Sequence, residues 1–359
     1  MYSKFVIKGF KCFEDFEITK LDRVNIISGK NNVGKTSLLE AILLHMGRHN
    51  PGLTLTINAL RGIEQFKLKS EEMWGWLFTD RHLDKPIRLT GITESNKNRS
   101  LTIRLVEPKE PKTVKPAASR ANIEGTAGTA GTNIVVEAQK ELLCEFDDAG
   151  GKKLSMRFSI TPEGMKLSAT HPMILPSGIF FSAMTRTLKE DPERFSDLER
   201  VGKHEEICEY IRILEPRVKR LAVLITGGVP FINADIGKAE LIPIPQLGAG
   251  AVRLLSLLLG IRSFSGGVIL IDEIENGLHH SIMKKVWEVL ATAARKENVQ
   301  IIATTHSWEC IQAAHDAFME MGKYDFRLHR LEMIQNEIKA ISYDKDTLNA
   351  ALKAEIEVR

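Results

Sequence analysis

Residues 29–36 read Gly-Lys-Asn-Asn-Val-Gly-Lys-Thr, which is a complete match to the pattern GxxxxGK[ST]. A short apolar run at residues 24–28 precedes them, and apolar residues at helical spacing follow as far as His45. These surroundings predict a strand, a loop and a helix. In the phosphate-binding form of this unit, backbone N–H groups turn inward around the phosphates and the helix points its positive end at them. A glycine turn before a core helix is the alternative, and the complete motif in this context favours phosphate binding.

The motif assigns roles to individual residues. Lys35 is expected to meet the β- and γ-phosphates of ATP and to serve catalysis, while Thr36 is expected to hold Mg²⁺ through its hydroxyl. The residues of this loop and the following helix start that are expected to contact the nucleotide are Gly29, Lys30, Asn31, Asn32, Val33, Gly34, Lys35, Thr36 and Ser37.

A second motif ends in two acids. Residues 268–273 read Val-Ile-Leu-Ile-Asp-Glu, and four consecutive apolar residues are typical of a parallel strand buried on both faces. Acids at the carboxyl end of such a strand lie where open parallel sheets bind ligands. Asp272 is expected to reach Mg²⁺ through water, and Glu273 to polarise the attacking water as general base. Two solvated acids after a strand are the alternative, which the phosphate loop in the same chain disfavours.

The order of elements predicts the architecture. After residue 250 the pattern predicts helices at 251–263, 281–296 and 308–321, alternating with strands at 268–271 and 300–303. Alternation of this kind implies a largely parallel sheet with helices on its faces. Residues 191–220 are mostly helical by pattern, and segments 220–225 and 239–244 are predicted to form paired strands.

The pattern changes between residues 86 and 168. Short alternating segments separated by turn residues predict an antiparallel β insertion there. Within it, residues 107–133 are rich in Pro, Lys, Ala, Gly and Thr and predict a mobile loop. The chain is therefore divided at two expected boundaries: 1–85 and 169–359 form one α/β domain, and 86–168 is inserted into it.

Composition excludes several classes of protein. Of 359 residues, 43% are hydrophobic and 26% charged, as in ordinary globular proteins. No apolar run approaches the roughly 20 residues that cross a bilayer, and the first ten residues do not form a signal-peptide core, so a cytoplasmic protein without membrane contact is expected. The four cysteines are far apart and predict neither disulfides nor a zinc site. A net charge of +3 permits nucleic-acid contact without arguing for it.

Two further segments carry a family resemblance. Residues 273–279 (Glu-Ile-Glu-Asn-Gly-Leu-His) and 303–307 (Ala-Thr-Thr-His-Ser) resemble the D-loop and switch histidine of ABC-type ATPases. Together with Gly-Phe-Lys-Cys-Phe at 9–13, they resemble the bacterial AAA-15/AAA-21 group, which is related to SMC and to the overcoming-lysogenization-defect nucleases. The resemblance spans nearly the whole chain. It implies a P-loop ATPase head of the ABC/SMC type, with His306 at the γ-phosphate and Lys11 and Asn276 near the nucleotide.

A degenerate third motif stands at residues 247–253, Leu-Gly-Ala-Gly-Ala-Val-Arg. ABC proteins carry the LSGGQ signature at this place, opening a helix, and Gly248 and Gly250 would let a helix N-terminus approach a phosphate closely. In relatives the signature completes the site of the opposite subunit, so the resemblance implies a homodimer or a higher oligomer. A glycine-rich start of a buried helix remains the alternative. No glutamine is assigned to a Q-loop, although Gln65 and Gln246 are candidates.

Four functions follow from these motifs. The leading hypothesis is a Mg²⁺-dependent ATPase switch that controls a separately encoded effector, a nuclease or a toxin, by resemblance in anti-phage defence. An SMC-like repair machine acting directly on nucleic acid is the main alternative, but the region before the signature lacks the sustained heptads of coiled-coil arms. A transporter ATPase would carry a clear signature and Q-loop. A fused nuclease would need more than the roughly fifty residues after His306.

Two tryptophans and a set of basic residues are further candidates for contact with a partner. Trp74 and Trp76 are expected to pack in the domain or under the insertion, although an exposed aromatic pair would suit a partner. Basic residues of the insertion are more typical of a solvated face than of a nucleic-acid surface, because acids interleave with them; they are Lys97, Arg99, Arg104, Lys109, Lys112 and Lys115.

Overall fold

The computed structural model describes residues 1–61, 70–108, 140–148, 153–161, 164–169, 177–183 and 190–359. The mobile loop predicted at 107–133 lies outside the described residues except for its first two positions. Gln65, Lys109, Lys112 and Lys115 also lie outside them.

The strands in chain order are β1 (Tyr2–Phe10), β2 (Phe13–Thr19), β3 (Val24–Ser28), β4 (Ile87–Thr93), β5 (Asn98–Val106), β6 (Glu141–Asp148), β7 (Leu154–Thr161), β8 (Gly164–Ala169), β9 (Gly178–Phe181), β10 (Arg220–Thr226), β11 (Val229–Asp235), β12 (Ile242–Pro243), β13 (Val268–Ile271), β14 (Gln300–Thr304), β15 (Phe326–Ile334) and β16 (Glu337–Tyr343). The α-helices are α1 (Lys35–Met46), α2 (Leu53–Leu60), α3 (Ser70–Trp74), α4 (Asp191–Arg200), α5 (His204–Arg212), α6 (Ala249–Ser263), α7 (His280–Lys296), α8 (Trp308–Glu320) and α9 (Lys345–Lys353).

The central sheet has the strand order β16-β15-β3-β14-β13-β9. Strands β15, β3, β14, β13 and β9 run parallel, and β16 returns antiparallel along β15. Every residue of β3, β13 and β14 is buried, as expected for strands covered on both faces. The structure thus has the parallel sheet with flanking helices that the alternation of elements predicted.

Side chains of the central strands alternate between two cores, because successive residues of a strand face opposite sides. Ile269 and Ile271 of β13 pack in one cluster with α6, α7 and α8, whereas Val268 and Leu270 pack in the other with α1. The second cluster also takes the apolar face of the antiparallel sheet, including Phe5 and Ile7 of β1. The carboxyl ends of β3, β13 and β14 therefore meet between these two layers, at one edge.

The antiparallel sheet has the order β2-β1-β4-β5-β6-β7-β8. Strand β1 pairs with both β2 and β4, so the strands that lie between residues 87 and 169 continue a sheet that the N-terminal hairpin begins. Antiparallel pairing in this region agrees with the alternating pattern. The domain boundaries themselves stay a prediction. Arg104, one of the basic residues noted there, lies 3.7 Å from Glu145 as an ion pair across β5 and β6.

The strand pairing predicted for segments 220–225 and 239–244 is wrong. Strand β10 pairs with β11, and only the two residues of β12 then pair with β11 on its other side. Gly227 and Gly228 have φ values of 58° and 80°, so they make the tight turn that returns the chain at once. The second strand of the hairpin therefore begins at Val229, ten residues earlier than predicted.

The tryptophan expectation holds for one residue and fails for the other. Trp74 is fully buried, and its indole N–H donates to Thr54 Oγ1 at 3.2 Å. Trp76 is 60% exposed, because the short 3₁₀ turn Gly75–Leu77 carries it away from the core. None of the helices in the described part of the chain is long and apolar enough to cross a membrane.

Candidate active site

The phosphate loop connects β3 to α1, and two of its glycines are required by close contacts. Gly29 has φ 133°, and a Cβ there would lie 2.4 Å from the carbonyl oxygen of Leu331. Gly34 has φ 90°, and its Cβ would lie 2.7 Å from Cys12 Sγ. No side chain caps the start of α1, so its first N–H groups remain available to a ligand. The loop has the conformation that phosphate binding at a helix N-terminus needs.

Lys35 folds back over this loop. Its Nζ donates to the carbonyl oxygens of Gly29 at 2.6 Å and Lys30 at 2.8 Å. Burial lowers the pKa of Lys35 to about 8, although the carboxylates of Asp272, Glu273 and Glu275 oppose this shift. The ammonium group thus lies where phosphates would enter, and it loses its proton at a lower pH than an ordinary lysine does.

Asp272 brings the acidic strand to the phosphate loop. Thr36 Oγ1 lies 3.2 and 3.1 Å from its two carboxylate oxygens, and Thr304 Oγ1 donates to Oδ1 at 2.6 Å. Burial raises the pKa of Asp272, while the hydroxyls of Thr304 and Thr36 oppose that shift. One carboxylate and one hydroxyl form an oxygen-only donor set, which fits Mg²⁺ that takes its other ligands from phosphates and water. Within the described ranges, no group of three or more His, Cys, Asp or Glu residues offers another metal site.

Glu273 follows in a strained conformation, with φ 49°. Its N–H donates to Thr304 Oγ1 at 2.8 Å, and its Oε2 accepts from Asn276 Nδ2 at 2.8 Å. Non-glycine residues with positive φ are uncommon and cluster at functional sites. The turn follows the end of β13, and the Glu273 side chain, 39% exposed, lies there beside His306 and Asn276.

His306 lies on the far side of Glu273, with its Nε2 3.8 Å from Glu273 Oε1. Its backbone N–H donates to Glu275 Oε1 at 2.7 Å, which ties the end of β14 to the segment after β13. The structure therefore brings Glu273, His306 and Asn276 together. Asn276 contacts the proposed base, and it is not among the described residues that line the adjoining cavity.

A cavity of about 740 Å³ opens beside the phosphate loop. Its described lining combines the loop with the β1–β2 turn and three more distant segments: Lys11, Cys12, Asn31, Asn32, Gly34, Lys35, Thr36, Ser37, Asn58, Arg61, Trp76 and His306. Small-molecule sites commonly have volumes of about 300–1,000 Å³. The cavity can therefore accept a whole nucleotide.

A buried carboxylate organises the cations of this cavity. Glu40, only 1% exposed, lies 2.5 Å from Lys11 Nζ and accepts two hydrogen bonds from Arg61, at 2.7 and 2.9 Å. The hydrogen bonds that Arg61 donates to Glu40 raise the pKa of Arg61. Burial lowers the pKa of Lys11, although the charge of Glu40 opposes this shift. Lys11 stands at the cavity as the resemblance implied. Sequence analysis missed Glu40 and Arg61, which no motif marks.

Replacing Glu40 by Ala is expected to lower the free energy of unfolding by about 2–4 kcal/mol, because it leaves two cations without a carboxylate in a partly buried place. The value lies toward the low end of buried pairs since Arg61 is 43% exposed and water can reach it. Urea unfolding of both proteins measures the change. Glu209→Ala, at an exposed position of α5, is the matched control and is expected to change stability by less than about 0.5 kcal/mol. Equal stabilities of the two variants would contradict the assignment.

Helix α6 begins at Ala249, two residues before the predicted start. Gly248 has φ 105° and open space where a Cβ would be, whereas a Cβ at Gly250 would lie 2.9 Å from the carbonyl oxygen of Gly277. Arg253, buried one turn later, donates to the carbonyl oxygens of Ser182 and Asp272. The start of α6 thus packs on the chain's own 273–279 segment. Among the residues described as lining the cavity, none comes from 247–253.

Comparison with known proteins agrees with this geometry. The family profile described as "AAA ATPase domain" matches residues 1–169, and the profile described as "AAA domain, putative AbiEii toxin, Type IV TA system" matches residues 177–309. The first covers the phosphate loop, and the second covers the acidic strand and His306. The chain is therefore similar to AAA ATPase domains in both matched regions, and it is an ATPase.

Two similar proteins extend over most of the ATPase. A Helicobacter pylori protein named ATP/GTP phosphatase is 22% identical over 332 residues, which are 88% of this chain and 87% of that protein. A crystal structure of an SMC head bound to the C-terminal winged-helix domain of ScpA superposes with a TM-score of 0.50 at 13% identity, covering 98% of this chain and 99% of the head. The ATPase therefore has the fold of an SMC head, as the sequence resemblance implied.

Proposed function

We propose that this ATPase works as a head-to-head homodimer, in which ATP held by the phosphate loop of one chain is covered by the start of α6 of the other. Closing on ATP and opening after hydrolysis would switch a separately encoded effector. ATP binding and hydrolysis follow from the similarity to AAA ATPase domains. The shared site and the switch are the new parts of the proposal.

One observation carries the shared site. Gly248 and Ala249 are exposed at the N-terminus of α6, yet the chain's own described cavity lining includes neither of them. A helix start with free N–H groups and glycine at its entrance suits an anionic ligand. Because the start of α6 is absent from the described lining of the chain's own cavity and packs on residues 273–279, the phosphate that it would meet is proposed to belong to another copy.

The residues at the strand ends divide the chemistry among them. Lys35 and the loop N–H groups hold the phosphates, while Thr36 and Asp272 would hold Mg²⁺, which would neutralise phosphate charge there. Glu273 accepts a proton from the water that attacks the γ-phosphorus. Thr304 and Asn276 fix the orientation of Glu273, and His306 donates to the γ-phosphate. Glu275 holds the His306 backbone in place.

The effector is proposed from the comparisons. The profile matched at residues 177–309 names a toxin of a toxin–antitoxin system, and the SMC head of the same fold was solved with a partner domain bound. The bound partner domain supports an ATPase that acts on a second protein, which we propose to be a nuclease or a toxin in anti-phage defence. The profile description names the matched domain itself as a putative toxin, and it supports only the link to toxin–antitoxin systems. The neighbouring genes are the first place to seek it.

A mixing experiment tests the shared site. Lys35→Ala removes the phosphate ligand, and Ala249→Asp places a repelling charge at the start of α6, where an acid favours the helix dipole and so preserves folding. Each variant alone is expected to be inactive. An equal mixture is expected to recover about a quarter of the wild-type rate, because half of the dimers are mixed and each of these has one complete site of two.

Ala249→Asn is the matched control, since it has nearly the shape of Asp without its charge and is expected to retain activity. A mixture that stays inactive despite demonstrated subunit exchange would contradict the shared site. Full-rate hydrolysis by a monomer would do the same, and residues 247–253 would then be only a helix start.

A further inference from the structure

The exposed indole of Trp76 lines the same cavity as the phosphate loop, although 40 residues separate it from Thr36 in sequence. The lining includes Lys35, Thr36 and Ser37 at the start of α1, and also Asn58, Arg61 and Trp76, which come from segments outside the phosphate loop. The phosphate loop accounts for the triphosphate of a nucleotide. The remaining volume must hold the ribose and the base, and Trp76 is the aromatic side chain in the described lining.

The backbone around Trp76 is fixed relative to the loop. The amide of Lys11 donates to the carbonyl oxygen of Leu77 at 2.9 Å, and Thr79 Oγ1 donates to the carbonyl oxygen of Phe13 at 3.1 Å. Both hydrogen bonds involve the segment that joins β1 to β2, and this segment lies against Gly34 through Cys12 and Phe13. Two neighbouring hydrogen-bonded links thus set the distance between Trp76 and the phosphate loop.

One face of the indole is already covered. The guanidinium carbon of Arg81 lies 4.8 Å from the ring centroid, a cation–π contact that holds the ring plane. The side chain nevertheless remains 60% exposed, so the opposite face is open to a ligand. A flat apolar surface held at the rim of a polar cavity is suited to stacking against a base, an interaction that tolerates any base because every base has a π-face.

We propose that Trp76 is the stacking platform for the base of the bound nucleotide, a contact that adenine and guanine can both make. The inference rests on nucleotide binding at the phosphate loop. Stacking on Trp76 is the contact by which the site would distinguish a nucleoside triphosphate from a polyphosphate without a base. No hydrogen-bonding group is needed for this contact, which is why it does not select one purine over the other.

Calorimetric titration of three ligands tests the platform: ATP, GTP and inorganic tripolyphosphate, each with Mg²⁺. Trp76→Ala is expected to weaken ATP and GTP binding by about 5- to 150-fold, the range that base–aromatic stacking gives, and to leave tripolyphosphate binding unchanged. Trp76→Phe is expected to retain most of the affinity. Phe231→Ala removes an exposed aromatic ring of β11 outside the cavity and is the matched control.

Two outcomes would overturn the proposal. Unchanged ATP affinity in Trp76→Ala would show that the base lies elsewhere. An equal loss of ATP and tripolyphosphate would show that Trp76 only supports the loop. If the wild-type protein bound none of the three ligands, the nucleotide site itself would be wrong, so that failure is distinguishable from the failure of the platform. Thermal unfolding of Trp76→Ala checks that the variant is folded, as its exposure leads us to expect.

Discussion

Replacing Glu273 by Gln is expected to slow ATP hydrolysis by about 10²–10⁴-fold while ATP still binds, because the substitution removes the base and little else. Gln keeps an oxygen that can accept the hydrogen bond from Asn276. The hydrogen bond from the backbone N–H of residue 273 to Thr304 Oγ1 does not involve the side chain and is unaffected. Steady-state phosphate release gives the rate, and calorimetry gives the affinity. ATP is then expected to hold the proposed dimer closed, which light scattering detects.

Glu209→Gln, the same chemical change at an exposed site on α5, is the control and is expected to hydrolyse ATP at the wild-type rate. If Glu273→Gln also did so, the base would lie elsewhere. His306 would be the next candidate, since its Nε2 is 3.8 Å from the carboxylate.

The parts of the site that the sequence predicted are those whose chemistry is local. Phosphate binding by residues 29–36 depends on a strand, a loop and a helix that adjoin in sequence, so composition and order were sufficient. Asp272 and Glu273 were predictable because a strand's end places acids at a known edge of a parallel sheet. Asp272 and Glu273 lie near Thr36 because of the strand order β3-β14-β13. The alternation of strands and helices in the sequence predicts a parallel sheet but does not specify this order.

The parts that the sequence did not predict depend on distant contacts. Glu40 appears in the sequence as one acid on an apolar helix, and only folding shows that it binds both Lys11 and Arg61. Trp76 lies two residues from the buried Trp74, and no helical or strand periodicity in the sequence tells which of the two rings is buried. Thr304 was overlooked although hydroxyls at the end of β14 adjoin the acids, and that position was a usable signal.

The hairpin error has a different cause. A usable signal, Gly227-Gly228 between alternating residues, is present, and such a pair favours the tight turns that join adjacent strands. The prediction paired β10 with a later segment because that segment also alternates. Local turn chemistry is the stronger constraint here, since it joins strands at the lowest loop-closure cost.

Lys35→Ala is expected to weaken ATP binding by about 10- to 150-fold, the loss that follows from removing one charged hydrogen-bond donor, and to abolish measurable turnover. The loop backbone should persist, because the two carbonyl oxygens that Lys35 contacts are held by glycine-dependent packing against Leu331 and Cys12. Lys285→Ala removes an exposed lysine of α7, outside the loop, and is the matched control. Unchanged affinity in Lys35→Ala, measured by calorimetry, would sink the assignment of this loop.

The lowered pKa of Lys35, about 8, gives this prediction a second readout. Below that pH the empty site already carries the ammonium group; above it the amine is increasingly neutral and must take up a proton when phosphates arrive, since nearby anions favour the charged form. ATP binding is therefore expected to take up more protons at about pH 8.5 than at about pH 7, and its affinity is expected to fall as the pH rises through 8. Titrations in buffers of different ionisation enthalpy measure the uptake. Lys35→Ala is expected to lose the increase and Lys285→Ala to keep it, whereas an increase that survives in Lys35→Ala would assign the proton to another group.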